Sequence, residues 1–83
     1  MIREIQSKDK EQWESLYRGY ADFYKVEMNA KILQTVWNWL HDKSHELSGL
    51  VYEVDGNIVG FAHYRKIPSP LRGKEIGFLD DLF

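Results

Sequence analysis

The chain is 83 residues long, with 11 basic and 13 acidic side chains, 43% hydrophobic residues and 14% aromatic residues. A net charge of −2 argues against binding to nucleic-acid phosphates, and the apolar content is too high for a disordered segment. No apolar run approaches the ~20 residues of a membrane span, and the chain has no cysteine that could form a disulfide or ligate a metal. Met1–Ile5 contains no apolar signal region. We therefore expect a cytoplasmic domain with neither nucleic acid nor membrane as a partner.

The first third of the chain predicts a short strand followed by a helix. Residues 2–5 alternate between apolar and polar side chains, which is typical of a strand. From Trp13 onward the apolar residues recur at helical intervals, which predicts a helix over about residues 10–25. Asp9 is the expected N-cap, with Gln12 three residues later as in a capping box.

A second helix is predicted after Asn29, which can cap it, and it should end near Lys43. Trp39 lies off the apolar stripe of this helix, which predicts a second neighbour or partial exposure. The stripe itself consists of Ile32, Leu33, Val36, Trp37 and Leu40.

The remaining sequence predicts three strands, so that the element order is β-α-α-β-β-β. Asp55-Gly56-Asn57 separates two β-branched and aromatic runs, 50–54 and 58–64, which indicates a hairpin. Residues 68–73 contain two prolines and a glycine and predict a loop. The last strand, 76–83, is mainly apolar on both faces and should be covered on both sides like an interior strand. Because the sequence stops inside this strand, we expect a domain cut before completion.

Few residues in the chain form a familiar catalytic or metal-binding pattern. Neither a dinucleotide-binding nor a P-loop glycine motif is present. His41 and His45 are four apart and could share a helical face, but no third metal ligand is evident, so we predict no metal site. His63 on the third predicted strand is open to a structural or a catalytic role.

Asp80 and Asp81 are the most informative charges, because carboxylates are disfavoured in an apolar strand unless they find partners. Since neighbours on a regular strand point to opposite faces, the two should not act as a glycosidase pair. One of them could be a general base facing a cleft. The alternative is a salt bridge to one of three arginines, Arg3, Arg65 or Arg72.

The end of the first predicted helix is a candidate site for an amine ligand. Most aromatic residues of this helix fit a buried core stripe. Tyr24, followed closely by Glu27, instead offers a hydroxyl and a carboxylate beside an apolar wall.

Four segments together resemble the GCN5-related N-acetyltransferase family, in its N-terminal half only. Residues 13–24 and 35–40 resemble the first two helices of the family, and the hairpin 55–64 is similar to its second and third strands. The most specific segment, Phe-Leu-Asp-Asp-Leu-Phe at 78–83, resembles the fourth-strand motif of the polyamine, histone and D-amino-acid acetyltransferase branch. The resemblance implies an α+β sandwich of the acyl-CoA N-acyltransferase type with an antiparallel sheet, residues 1–83 forming the N-terminal half of one domain.

The resemblance also implies an enzyme that uses acetyl-CoA as cosubstrate and transfers the acetyl group directly to a primary amine, such as a small amine or a lysine-like side chain. Asp80 would be the base, with Tyr24, Glu27 and Asp81 on the acceptor side. Leu82 and Phe83 would contact acetyl-CoA through their main chain.

The pyrophosphate-binding loop that follows the fourth strand in the family does not occur in these 83 residues. We therefore expect the chain alone to be inactive. The alternative is a non-catalytic interaction module that pairs through its last strand, as a homodimer or with another chain.

Overall fold

The computed structural model describes all 83 residues, and two helices pack on one face of a four-stranded antiparallel sheet with strand order β1-β2-β3-β4. This architecture confirms the predicted α+β fold and element order. The elements are β1 (Ile2–Glu4), α1 (Lys10–Phe23), α2 (Ala30–His41), β2 (Leu47–Val54), β3 (Asn57–Ser69) and β4 (Lys74–Leu82), with short 3-10 turns at Ser7–Asp9 and Pro70–Arg72. Both α-helices are too short and too polar for a transmembrane segment.

The apolar stripes of the two helices meet the sheet in one core, as their spacing predicted. Trp13 of α1 is fully buried, and its ring centroid lies 5.1 Å from that of Trp37 of α2. On the sheet side, Val51 and Phe61 are paired across β2 and β3 and are both buried. Burying side chains of this size stabilises the fold by about 1.5–3 kcal/mol each, which fixes the helices on this face.

The two predicted helix caps have different outcomes. The Asn29 side chain accepts a hydrogen bond from the Ile32 N–H at 2.9 Å and caps α2 as predicted. Asp9 is the N-cap of α1 by position, as predicted, but its side chain makes no cap hydrogen bond to the helix. Its oxygens instead accept from the guanidinium of Arg3 at 2.8 and 2.9 Å, and one also accepts from the Gln6 N–H. A bidentate charged donor outcompetes a single helix N–H for the same carboxylate.

The predicted hairpin is confirmed, and its turn explains the Asp-Gly pair. Asp55 and Gly56 both adopt positive φ, 51° and 81°, as a two-residue turn with the strand twist requires. The predicted loop at 68–73 is shorter in the structure, because β3 continues to Ser69 and pairs with Lys74 of β4. Proline is tolerated in such a ladder where its missing N–H is not needed.

β4 differs from the predicted interior strand, since it pairs only with β3 and forms an edge of the sheet. Its apolar side chains are partly open, with Leu82 63% exposed and Phe83, directly after the strand, 46% exposed. Phe83 pairs closely with β3, exchanging main-chain hydrogen bonds of 3.0 Å with Phe61 in both directions. A Cβ at Gly60 would lie only 2.8 Å from the Phe83 carbonyl oxygen, so this pairing depends on a residue without a side chain.

Candidate active site

A β-bulge in β4 determines where the two adjacent carboxylates lie. Tyr64 of β3 is opposite Leu79, whereas the preceding residue, His63, is opposite Asp81. Asp80 is therefore the extra residue on β4. The bulge breaks the strict alternation of side chains, and both carboxylates contact groups on the helix-covered face of the sheet, contrary to the prediction of opposite faces.

Asp81 is held by two donors on one of its oxygens. The Tyr17 hydroxyl of α1 and the Nδ1 of His63 lie 3.2 and 2.9 Å from its Oδ2. The hydrogen bond from His63 holds the pKa of Asp81 below its usual range, although burial opposes this. Burial and the neighbouring Asp81 carboxylate raise the pKa of Tyr17, which keeps its hydroxyl protonated as a donor. Asp81 is thus an anion; Tyr20 also reaches its carboxylate, and neither Tyr17 nor His63 uses its Oδ1.

Asp80 forms a fork with Arg65 of β3. Its Oδ1 accepts from the guanidinium at 2.8 and 3.1 Å, and its Oδ2 accepts at 2.9 Å. The Arg65 guanidinium also lies over the Phe78 ring, 5.0 Å from the centroid. The predicted alternative of an arginine partner is therefore present. Each carboxylate oxygen still has lone pairs outside the fork, so that the pair does not by itself prevent a water-mediated role.

Asp81 lies between two open hollows of about 310 Å³ each. The first lies mainly between α2 and the sheet and is lined by Tyr17, Val36, Trp39, His45, Glu46, Leu47, Arg65, Asp80 and Asp81. The second lies at the end of α1 and is lined by Tyr17, Tyr20, Ala21, Tyr24, Val26, Met28 and Asp81. The first hollow carries three carboxylates against one guanidinium, and the second is lined mainly by aromatic and aliphatic side chains. Together they suit a ligand with an amino group and an apolar part.

The structure brings Tyr24 to this site but leaves Glu27 outside it. Tyr24 directly follows α1 and lines the aromatic hollow, where its ring packs 4.9 Å from that of Tyr20. Glu27 lies in the exposed connection between α1 and α2 and lines neither hollow. The sequence grouped the two residues by proximity along the chain, but the connection after Tyr24 turns through Lys25 at positive φ.

The two predicted cofactor contacts, Leu82 and Phe83, differ in whether their main-chain groups are already used within the sheet. The N–H and C=O of Phe83 are both used in hydrogen bonds with Phe61. In an antiparallel pair these bonds alternate along the strand, so the N–H and C=O of the preceding Leu82 point away from β3. Because β4 is an edge, the Leu82 peptide groups face the outside of the sheet.

His41 and His45, which have the spacing of metal ligands, each contact a different main-chain group. The Nδ1 of His41 lies 2.9 Å from the Trp37 carbonyl oxygen, and the Nδ1 of His45 accepts from the Leu47 N–H. No group of three or more potential ligand side chains is close enough to hold a metal. The ring of His45 stacks on Trp39 with centroids 4.8 Å apart, and Trp39 is 41% exposed, so that both alternatives predicted for this residue, a second neighbour and partial exposure, are present.

Sequence reasoning missed Tyr17 as a polar contributor, because its position on the core stripe of α1 assigned it to packing. Its hydroxyl extends past the core to Asp81 while its ring packs on Trp13 and Phe61. The sequence could have indicated this role, because a tyrosine on an apolar stripe brings a hydroxyl that needs a hydrogen-bond partner when it is buried.

Comparisons with known proteins agree with the resemblance. The chain is 28% identical over its whole length to the D-amino-acid N-acetyltransferase HPA3 of Saccharomyces cerevisiae, of which it spans 53%. Over the whole chain its fold matches a ribosomal-protein-alanine N-acetyltransferase from Brucella melitensis, with a TM-score of 0.76 and 24% identity over 54% of that chain. It also matches a probable acetyltransferase with a TM-score of 0.85 and 16% identity over 56% of that chain. No family profile matches the chain.

These comparisons confirm the resemblance to the GCN5-related N-acetyltransferases and the acyl-CoA N-acyltransferase type of fold. The chain spans about half the length of the proteins that it matches.

Proposed function

We propose that the chain is the acceptor-binding part of an acetyl-CoA-dependent N-acetyltransferase, which transfers the acetyl group to a primary amine by direct attack. The observation that carries the proposal is the bulge at Asp80, which gathers two adjacent carboxylates beside the two hollows. A cationic amine is attracted by paired carboxylates, and the same groups can take up the proton that it must lose.

Asp81 is the residue that holds the amine. His63 and Tyr17 both donate to its Oδ2, and its Oδ1 would accept a hydrogen bond from the amino group. Because its pKa lies below the usual range, Asp81 remains charged at neutral pH. Tyr24 and the other aromatic side chains of the second hollow would contact the apolar part of the acceptor.

Asp80 is the base. Arg65 bonds to both oxygens of Asp80 from one side. The Asp80 side chain is one methylene shorter than the glutamate common at this position in the related branch, which shortens its reach by about 1.5 Å. A bridging water on the remaining lone pairs would carry the amine proton to Asp80. The free amine then forms its bond to the carbonyl carbon, the C–S bond of the thioester breaks, and the departing thiolate takes up the proton that the nitrogen loses as it becomes an amide.

Acetyl-CoA is the cosubstrate in this proposal and supplies an activated acetyl thioester. The outward-facing N–H and C=O of Leu82 fit main-chain hydrogen bonds to an extended amide arm. The 83 residues contain no glycine-rich loop for the pyrophosphate. We therefore expect the chain alone to bind acetyl-CoA weakly and not to turn over. Calorimetric titration tests this, and micromolar binding with turnover would contradict it.

The test of the proposed function is an acetyl-transfer assay, by mass spectrometry, on the protein that carries this chain. The amines supplied should include an amino acid, a polyamine and a lysine peptide. We expect one class to be acetylated and Asp80→Asn to lower kcat by about 100-fold or more, the scale for losing a general base. Lys74→Gln, on the same strand but far from the hollows, is the matched control. Full turnover in Asp80→Asn would remove Asp80 from the reaction.

The open edge of β4 favours a second candidate function, a module that pairs with a second copy or with another chain. An edge with unpaired main-chain groups and exposed apolar residues is a template for strand addition. Light scattering after size exclusion tests this: a dimer that Leu82→Pro disrupts would support it, and a monomer at all concentrations would oppose it.

A further inference from the structure

His63 is a buried histidine whose two ring nitrogens both have a partner. Only 1% of its surface is exposed, and it lies on β3 facing α1. Its Nε2 accepts a hydrogen bond from the indole N–H of Trp13 at 3.0 Å. Its Nδ1 lies 2.9 Å from the Oδ2 of Asp81. The imidazole is therefore the link between the core and the carboxylate of the candidate site.

The partner on Nε2 determines which nitrogen of His63 carries the proton. The Trp13 indole can only donate, so Nε2 must present its lone pair. A proton on Nε2 would point at another N–H across 3.0 Å. The neutral ring therefore carries its proton on Nδ1, where the acceptor is the Asp81 carboxylate.

We propose that His63 is a positioning residue that Trp13 fixes as the neutral Nδ1–H tautomer. In this state His63 orients the Asp81 carboxylate so that its Oδ1 faces the acceptor amine. The orienting role rests on the proposed function, whereas the tautomer and its effect on Asp81 do not. A neutral donor fixes the carboxylate without cancelling its charge, so that Asp81 keeps its full attraction for a cationic acceptor. Tyr17 donates to the same oxygen and completes the orientation.

The charged and titratable groups around the His63 ring are consistent with this state. From α1, the Tyr17 ring meets it edge-on with centroids 4.8 Å apart. Tyr20 reaches the same carboxylate from α1, and burial raises the pKa of both tyrosines. From β4 come Asp81 and, at the bulge, Asp80, whose charge is matched by Arg65. α2 contributes the Trp37 ring, which packs against Trp13.

The first experiment reads the tautomer directly and needs no activity. Nitrogen NMR of the protein with labelled histidine, at pH 7, should show one neutral imidazole with the proton on Nδ1, assigned to His63 by its loss in His63→Asn. Trp13→Phe removes the donor to Nε2 and should shift this signal toward a mixture of protonation states. A wild-type ring with its proton on Nε2, or on both nitrogens, would overturn the proposal.

The second experiment follows Asp81 in variants of its donor. Carbon NMR of the carboxylate should show the pKa of Asp81 below the ordinary range in the wild type and raised in His63→Leu. His63→Asn places an amide N–H near the position of Nδ1 and should restore most of the lowering. If His63→Leu does not fold, the pKa of Asp81 can still be compared among the wild type, His63→Asn and Trp13→Phe. An Asp81 titration that does not respond to any of these changes would overturn the proposal.

Kinetics then distinguish a failure of this inference from a failure of the proposed function. If acetyl transfer is observed, His63→Leu should raise KM for the amine about tenfold, the value of one hydrogen bond to a charged group, with a smaller change in kcat. Ile58→Val, a buried change elsewhere on β3, should leave KM unchanged. Unchanged KM in His63→Leu would overturn the orienting role. Absence of transfer in the wild type would instead contradict the proposed function, and the NMR results would stand on their own.

Discussion

Two polar clusters flank the sheet, and they use their carboxylates differently. In the β1 cluster, defined by Arg3, Asp9 and Glu53, one guanidinium meets both acids with contacts of 2.7–3.0 Å. Both oxygens of Asp9 are occupied, and its side chain is only 4% exposed. These contacts join β1 and β2 to the residue that precedes α1, and none of the three residues lines either hollow.

The β4 cluster, defined by Tyr17, His63, Arg65, Asp80 and Asp81, has comparable contacts but lies beside two hollows, and neither Tyr17 nor His63 uses the Oδ1 of Asp81. Both clusters contain paired charges, so paired charges alone do not identify a site. Unoccupied acceptor positions next to open volume distinguish a cluster suited to chemistry from one that connects elements.

The largest expected difference between the clusters is in catalysis. Asp81→Asn should lower kcat/KM for the amine about 10- to 100-fold, mainly through KM, because it removes the charge that holds the cationic acceptor. Its effect on thermal unfolding should be smaller than that of Asp9→Asn, because the amide oxygen of asparagine can still accept from the neutral donors Tyr17 and His63. Steady-state kinetics and a melting curve on the same sample measure both. A large loss of stability with unchanged kinetics would make the β4 cluster a second structural cluster.

The opposite result is expected in the β1 cluster. Asp9→Asn should lower the free energy of unfolding by about 1–3 kcal/mol, since it replaces charged hydrogen bonds and leaves the Arg3 guanidinium poorly matched. Urea denaturation measures the change. Asp22→Asn, on the exposed side of α1, is the control and should be nearly neutral. A loss of acetyl transfer without loss of stability would contradict the distinction between the clusters.

Acid sensitivity gives a smaller effect with a defined sign. The Arg3 hydrogen bonds hold the pKa of Asp9 below its ordinary 3.8. This interaction stabilises the fold above that ordinary value, and its contribution is lost as pH falls through the lower folded pKa. The stability advantage of the wild type over Asp9→Asn should thus be full at pH 6 and shrink below about pH 4. Urea denaturation at several pH values measures it; an advantage that grows with acid would contradict the assignment.

The smallest predicted effect tests the aromatic hollow. Tyr24→Phe should raise KM for the acceptor by a few-fold and leave the affinity for acetyl-CoA unchanged, since Tyr24 lines the hollow at the end of α1. Phe23→Leu is the control, because the Phe23 ring is exposed, packs edge-on against Tyr24 and lines neither hollow. A selective loss of acetyl-CoA affinity in Tyr24→Phe would move this residue to the cosubstrate side.

The sequence predicted the elements well because their signals are local. Helical periodicity, the Asn29 cap and the Asp55-Gly56 turn each depend on a few neighbouring residues, and the structure has all three. The acetyltransferase resemblance likewise depends on short segments in the correct order.

What the sequence did not predict depends on partners distant in the chain. The bulge at Asp80 is a property of the register between β3 and β4, so strict alternation placed the two carboxylates on opposite faces. Asp9 stands at the N-cap of α1 as predicted, but its side chain bonds to Arg3 of β1 instead of to the helix. Both faces of β4 are apolar, which indicated an interior strand, yet sheet order alone decides that it is an edge.

The close approach of the Phe83 carbonyl to Gly60 has a consequence for sequence variation. In a library containing every substitution at each position, residue 60 should tolerate almost nothing, because it is buried against the end of the chain. Even alanine would push the last residues outward and open the ladder beside Leu82. Compensating second-site changes should then appear near the carboxyl end of β4 rather than in the helical core.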